Sequence, residues 1–302
     1  MSGDSAQISI DTFRRVHCIG IGGIGVSALA RMFLSRGVSV SGSDQSLSEI
    51  TAMLEEKGVR LHEGHDVKNV PGDVDMVVYS PAVGEENLEY DEAKRRGVPL
   101  LSYPEVLGLL SRNMKTVAVA GTHGKTTTTA MIAHIALKAG LSPTVIAGSL
   151  MHPLPEYGVS ERTNFIAGKS DILIVEACEY KRSFLALHPD VLVITNIEED
   201  HLDYYADLAD IQSAFSALVS QIKEGGSVVC HPKDTVIVPV VEGAEIIDYG
   251  AMTKTLSLKV FGKHNEENAR AAVSAARALG VSEEVATKAL NDFPGTWRRG
   301  EY

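Results

Sequence analysis

Short apolar runs recur along the chain, each followed by a polar or glycine-rich break and then by apolar positions at helical spacing. The first unit is Val16-His17-Cys18-Ile19-Gly20, a helical pattern over 26–36 that stops at Gly37, and the run 38–41. Alternation continues with a helix at 49–57, a strand at 74–79, a helix at 87–96, a strand at 98–101 and a helix at 105–111. It restarts with the strand 116–120 and a helix over 126–139. Strand-like runs at 171–176, 191–196 and 227–230 follow, with helical stretches that include 210–222, 264–279 and 282–293. Repeated strand–helix alternation implies mostly parallel sheets, with ligands met at the carboxyl ends of the strands. The expected fold class is therefore α/β: a Rossmann-like parallel-sheet domain over 1–112, then a second α/β domain over 113–302. Residues 151–164 read as a mobile loop facing the site.

The break after the strand 116–120 carries the strongest chemical signal. It reads Gly121-Thr122-His123-Gly124-Lys125-Thr126-Thr127. A strand that turns on glycine into a helix aims backbone N–H groups at one point, and the helix dipole makes that point attractive to phosphate. Lys125 would reach the terminal phosphates, and the Thr126 hydroxyl would sit on Mg²⁺. The spacing departs from Gly-x-x-x-x-Gly-Lys-[Ser/Thr], since Val119 stands where that pattern wants glycine. A glycine-rich turn with an incidental lysine is the alternative, and it lacks a reason for the flanking strand and helix.

The first half holds a second glycine turn, Gly20-Ile21-Gly22-Gly23-Ile24-Gly25, with Asp44 nineteen residues beyond its end. This is the shape of a dinucleotide-binding unit, with an acid for a ribose hydroxyl. Alone it would favour a nicotinamide oxidoreductase. A phosphate loop one domain later shifts the balance towards another nucleotide diphosphate. His65 and Ser80 follow strand-like segments and could line that pocket, or be polar loop residues.

Acids gather after two strands of the second half. The run 171–175 delivers Glu176 and then Glu179, and the run 191–194 delivers Thr195-Asn196-Ile197-Glu198-Glu199-Asp200-His201. An acid one strand from a phosphate loop is the usual second ligand of the nucleotide's Mg²⁺. Glu176 fits that role, and His201 could take a second metal ion; a solvated acidic loop is the alternative for 198–203. Asn265 and Asn268 could meet an adenine edge or cap a helix, and Arg298-Arg299 would suit phosphate or ribose or stand in solvent.

Bulk properties narrow the partners. Lys and Arg number 28 against 39 Asp and Glu, giving a net charge of −11. That argues against a nucleic-acid partner. No run approaches membrane-spanning length and the N-terminus lacks a signal-peptide pattern, so a cytoplasmic location is expected. Cys18, Cys178 and Cys230 show no metal spacing and read as buried reduced thiols.

Together these segments resemble the Mur ligases, ATP-dependent amide-forming enzymes of peptidoglycan synthesis. The resemblance rests on the run 16–30, Gly42-Ser43-Asp44, the phosphate loop 121–127, Glu176-Ala177-Cys178-Glu179-Tyr180, Ser183-Phe184-Leu185, the run 195–203, His264-Asn265-Glu266-Glu267-Asn268 and Arg298-Arg299-Gly300-Glu301. His123 points to the alanine-adding or the tripeptide-recycling branch, and the intact glycine run with Ser183-Phe184-Leu185 favours the former. The resemblance implies addition of L-alanine to UDP-N-acetylmuramate through an acyl phosphate. By the same resemblance, Lys125, Glu176 and His201 are catalytic, with Thr126 and Glu176 on one Mg²⁺ and His201 at a second. Residues 121–127 with Asn265, Asn268 and Arg299 would hold ATP. Gly20, Gly22, Gly23, Ile24, Gly25, Asp44, His65 and Ser80 would hold the UDP part. Three departures stand out: Gly300 where the family has Phe, Cys178 where it has Asp, and an end at Tyr302 where members continue into a third α/β domain. That domain normally closes over ATP, so weak or absent ligation by this chain alone is expected. A non-catalytic nucleotide-binding module is the reading from a different class.

Overall fold

A computed structural model describes residues 10–254 and 256–295. Two units divide between Leu109 and Leu110. The first begins with β1 (Arg15–Ile19), α1 (Ile24–Ser35), β2 (Ser39–Asp44), α2 (Glu49–Glu55) and β3 (Arg60–Glu63). It continues through β4 (Met76–Tyr79), α3 (Leu88–Arg95), β5 (Leu100–Ser102) and α4 (Tyr103–Asn113), within which the division falls. Its strands form a parallel five-stranded sheet in the order β3-β2-β1-β4-β5. The chain reverses direction across the sheet at β1, so the loops after β1 and β4 splay apart and open a crevice at the carboxyl edge. Caps set the helix starts: Ser48 and Thr51 form a reciprocal capping box on α2, and Asn87 Oδ1 accepts the Glu89 and Tyr90 N–H groups at the start of α3.

The second unit contains β6 (Lys115–Ala120), α5 (Lys125–Lys138), β7 (Thr144–Met151), β8 (Thr163–Ile166), β9 (Ile172–Glu176) and β10 (Val191–Ile194). α6 (Leu208–Val219), β11 (Ser227–Cys230), β12 (Ile246–Asp248), α7 (Lys263–Ala278) and α8 (Glu283–Leu290) complete it. The sheet order is β12-β11-β10-β6-β9-β7-β8, parallel except for the edge pair β7–β8. β6, β9 and β10 are apolar almost throughout because both faces are covered. α5 is buried from Thr126 to Leu137 and packs with α7 and α8 into one apolar cluster with the sheet. No helix among the described residues is long and apolar enough to cross a membrane.

The α/β class and eight of the twelve strands in the described residues agree with the sequence reading. Four strands were not foreseen: β3, β7, β8 and β12. β3 has a single leucine among polar residues, β12 is only three residues long, and β7 is interrupted at Gly148, where its pairing with β8 shifts register. The segment expected to be a loop at 151–164 joins β7 to β8; Leu154 and Val159 bridge across it and pack with Tyr157 on the apolar cluster. Cys18 and Cys230 are buried as expected, whereas Cys178 is exposed, since it lies in the loop beyond β9 at the carboxyl edge.

Candidate active site

The phosphate loop follows β6 at the centre of the second sheet and is clasped by the exit of β10. Thr195 Oγ1 donates to the His123 carbonyl (2.6 Å), and Asn196 Oδ1 accepts the His123 N–H (2.8 Å) while its Nδ2 donates to the same carbonyl (3.2 Å). Thr122 is bound at both ends: its N–H donates to Asn196 O (3.0 Å), and its hydroxyl accepts the Glu198 N–H (2.8 Å). Gly121 has φ +135°, and a Cβ there would overlap Thr195 Oγ1, so the clasp requires glycine. No side chain caps α5, whose N-cap is Gly124. Its first turn thus presents N–H groups and the positive end of its dipole to an anion.

Lys125, the first residue of α5, folds back over the loop. Its Nζ donates to Gly121 O (2.5 Å), Thr122 O (3.0 Å) and Glu179 Oε1 (2.8 Å). Thr126 Oγ1 donates to Glu176 Oε1 (3.0 Å), and the Gly148 N–H donates to Glu176 Oε2 (2.7 Å). A Cβ on Gly148 would overlap the Glu176 carboxylate, which accounts for a glycine at the irregularity in β7. His201 Nε2 lies 3.8 Å from Glu179 Oε1 and 3.9 Å from Asp200 Oδ2, with the Tyr180 ring 4.9 Å from its own. His201 (φ +52°), Lys181 (φ +50°) and Arg182 (φ +56°) all hold left-handed backbone, so strain concentrates in the loops beyond β9 and β10.

Oxygen donors here suit a hard cation. Glu179, Asp200 and His201 offer ligand atoms within 4.8 Å of one another. Glu179 Oε2 is buried with no hydrogen-bond partner among the described residues, an arrangement that a cation would relieve. His201 thus groups with Glu179 and Asp200, while Thr126 pairs with Glu176.

Beside the loop is a cavity of about 290 Å³ lined by His123, Gly124, Asn196, Tyr249 and Asn268, among others. Asn265 is not in that lining: its Nδ2 donates to Phe261 O (2.8 Å) within the first turn of α7, whose N-cap is Gly262. Thr127 is buried in α5 and likewise absent from the lining. Arg299 lies outside the described residues.

The first unit has its own pocket, about 630 Å³, at the carboxyl edge of β1–β4. Gly20, Gly22, Gly23, Asp44, His65 and Ser80 all line it. Ile24 and Gly25 do not; they begin α1, and Gly25 leaves room for the Tyr103 ring. Asp44 has a task not read from its spacing, since its Oδ2 accepts the Gly22 N–H (2.8 Å). The Gly23 N–H is taken by Gly20 O (3.1 Å). α1 begins beside this pocket with no side-chain cap, which puts the positive end of its dipole there.

Residues 15–115 match the family model "Mur ligase family, catalytic domain", and residues 119–255 match "Mur ligase middle domain". The UDP-N-acetylmuramate–L-alanine ligase of Salinibacter ruber is 39% identical over 98% of this chain and 67% of its own length. The chain belongs to the Mur ligase family. Two solved members share its fold. The UDP-N-acetylmuramate-alanine ligase of Thermotoga maritima is 31% identical with a TM-score of 0.80, over 94% of this chain and 70% of that one. The UDP-N-acetylmuramate:L-alanyl-gamma-D-glutamyl-meso-diaminopimelate ligase of Neisseria meningitides is 27% identical with a TM-score of 0.84, over 95% of this chain and all of that one.

Several site residues of this Mur ligase were not singled out from the sequence. Thr195, Asn196, Glu179 and Asp200 were assigned to strand exits without tasks, because a task depends on which strands are neighbours. Gly148 left no usable signal, because the strand that holds it, β7, is itself not read from the sequence. Glu89 left none: it sits in a polar helix yet is fully buried under the first pocket.

The site yields two expectations. Gly148→Ala should displace the Glu176 carboxylate and weaken Mg²⁺-dependent binding of an ATP analogue about 10–100-fold without unfolding the chain, as read by calorimetry and circular dichroism. Unchanged affinity would remove Glu176 from the cation's surroundings. The second concerns Glu89. Burial pushes its carboxyl up most strongly, but hydrogen bonds from His17, Ser43 and Asn69 and the charge of His17 outweigh it and hold the group at about 2 rather than 4.5. Its stabilising contribution is complete above pH 4.5 and is lost as pH falls towards 2, roughly 3 kcal/mol by linkage. Urea unfolding of Glu89→Gln should therefore vary less with pH across that window than the parent chain.

Proposed function

We propose that this Mur ligase joins L-alanine to UDP-N-acetylmuramate, the two substrates in the name of its Salinibacter ruber relative, and that it does so with ATP and in the cytoplasm. The observation that carries the reading is the pairing of an intact phosphate loop with a separate glycine-turn pocket in a chain 39% identical to that ligase. A nicotinamide oxidoreductase would leave the Lys125–Glu179 and Thr126–Glu176 pairs without purpose.

An amide does not form from a carboxylate and an amine in water without activation. The muramoyl carboxylate oxygen attacks the γ-phosphorus of ATP, ADP leaves, and an acyl phosphate results. The uncharged amine of L-alanine then attacks the acyl carbon, phosphate departs with its bridging oxygen, and the amine loses a proton. Lys125 swings from Glu179 to the phosphates and neutralises charge on the transferring group. The α5 N-terminus holds the phosphates, and Asn196, Tyr249 and Asn268 bound the neighbouring space for the nucleoside. Thr126 and Glu176, with Glu179, Asp200 and His201, would hold Mg²⁺, which supplies charge neutralisation at the phosphates. The first unit's pocket holds the UDP part.

A tripeptide acceptor in place of L-alanine is the second reading, favoured by the likeness to the Neisseria meningitides ligase. Mass spectrometry of the products separates the two. With ATP, UDP-N-acetylmuramate, L-alanine and the tripeptide L-alanyl-γ-D-glutamyl-meso-diaminopimelate supplied together, the alanine adduct should predominate. Lys125→Ala should lower its formation about 100–1,000-fold. A predominant tripeptide adduct would transfer the reading to recycling. A product independent of Lys125 would contradict the phosphate-loop assignment.

A further inference from the structure

Beneath the first-unit pocket lies a charged group that touches no ligand position. Glu89 is fully buried in the first turn of α3. A buried carboxylate is costly unless its lone pairs are filled, and an apolar side chain would occupy the same space without that cost. Here every side of it is engaged. Oε2 meets His17 Nε2 (3.1 Å) and accepts the Ser43 hydroxyl, and Oε1 accepts from Asn69 Nδ2 (2.7 Å) and the Asp66 N–H (3.2 Å).

What the carboxylate adds is direction. Ser43 has a single hydroxyl proton, and Glu89 takes it. The Ser43 oxygen is then an acceptor, so the His65 Nδ1 that faces it at 3.0 Å must carry a proton. His65 Nδ1 also lies 3.6 Å from Glu89 Oε1, which favours the same assignment. With Nδ1–H committed below, the lone pair of the neutral ring is on Nε2, and His65 lines the pocket. Asp66 and Asn69 follow His65 on the same loop and bind the same carboxylate, so Glu89 sets the position of the ring as well as its tautomer.

We propose that Glu89 is a positioning residue for the first-unit pocket, acting through Ser43 to fix His65 so that Nε2 accepts a hydrogen bond from a hydroxyl or N–H group of the ligand. The proposal rests on the reading that this pocket holds the sugar nucleotide. A lone pair repels phosphate oxygens, so Nε2 meets the ribose, the base or the sugar, and the phosphates fall to the uncapped start of α1.

Two variants of the full chain test it, Glu89→Gln and the milder Ser43→Ala, which keeps the carboxylate. Nitrogen-15 NMR of histidine-labelled protein reads the His65 tautomer, and calorimetry reads affinity for UDP-N-acetylmuramate. The parent chain should show Nδ1–H at His65. Both variants should show a shift towards Nε2–H and bind the sugar nucleotide about tenfold more weakly. The double variant should be no weaker than the single ones, because both act through one path. Native-like spectra of the first unit in Ser43→Ala separate this from unfolding. Unchanged affinity in both variants would overturn the proposal, as would weaker binding with the His65 tautomer intact, which marks a structural role only. Failure of the parent chain itself to bind UDP-N-acetylmuramate would instead sink the reading of the pocket.

Discussion

The second unit depends on one clasp: the exit of β10 grips the phosphate loop through Thr195 and Asn196. A glycine loop between strand and helix has many conformations open to it, and only one of them aims the α5 N-terminus at a phosphate. Hydrogen bonds to both the N–H and the carbonyl of His123 remove that freedom before ATP arrives. Preorganisation of this kind lets the loop bind without ordering itself first. The clasp also dictates sequence, since it leaves no space for a side chain at Gly121.

Lys125 connects the clasp to the acids. Its charge is matched by Glu179 and by two loop carbonyls, so the ammonium group is neither buried alone nor loose in solvent. On the proposed function, a nucleotide phosphate would replace these partners with a stronger one. Glu179 would then be available to a cation, in company with Asp200 and His201. The first unit solves a similar problem differently. Its glycine turn is closed on itself and on Asp44, and a buried carboxylate one layer below carries the ordering.

Much of this was legible in the residues. The phosphate loop, Glu176, His201 and the glycine turn with Asp44, His65 and Ser80 are local patterns, and locality is what a single sequence conveys. Gly20, Gly22, Gly23, Asp44, His65 and Ser80 share one pocket because each follows a parallel strand, and all such ends lie at one edge. Asn265 marks the opposite case: its amide serves its own helix, and nothing in a run of polar residues at a helix start distinguishes that use from ligand contact. Gly148 and Glu89 were illegible for a third reason. Gly148 acts through β9 and Glu89 through β1, β2 and the loop after β3, so their tasks exist only once the strand order is known.

On the proposed function, one chain holds two nucleotide sites, one for a sugar nucleotide and one for ATP. Calorimetric titration of the intact chain with UDP-N-acetylmuramate, before and after saturation with a non-hydrolysable ATP analogue and Mg²⁺, tests it most directly. One site for each ligand is expected, with the sugar nucleotide still binding when the ATP site is full. Displacement of one ligand by the other, or binding of NADH in place of UDP-N-acetylmuramate, would contradict it.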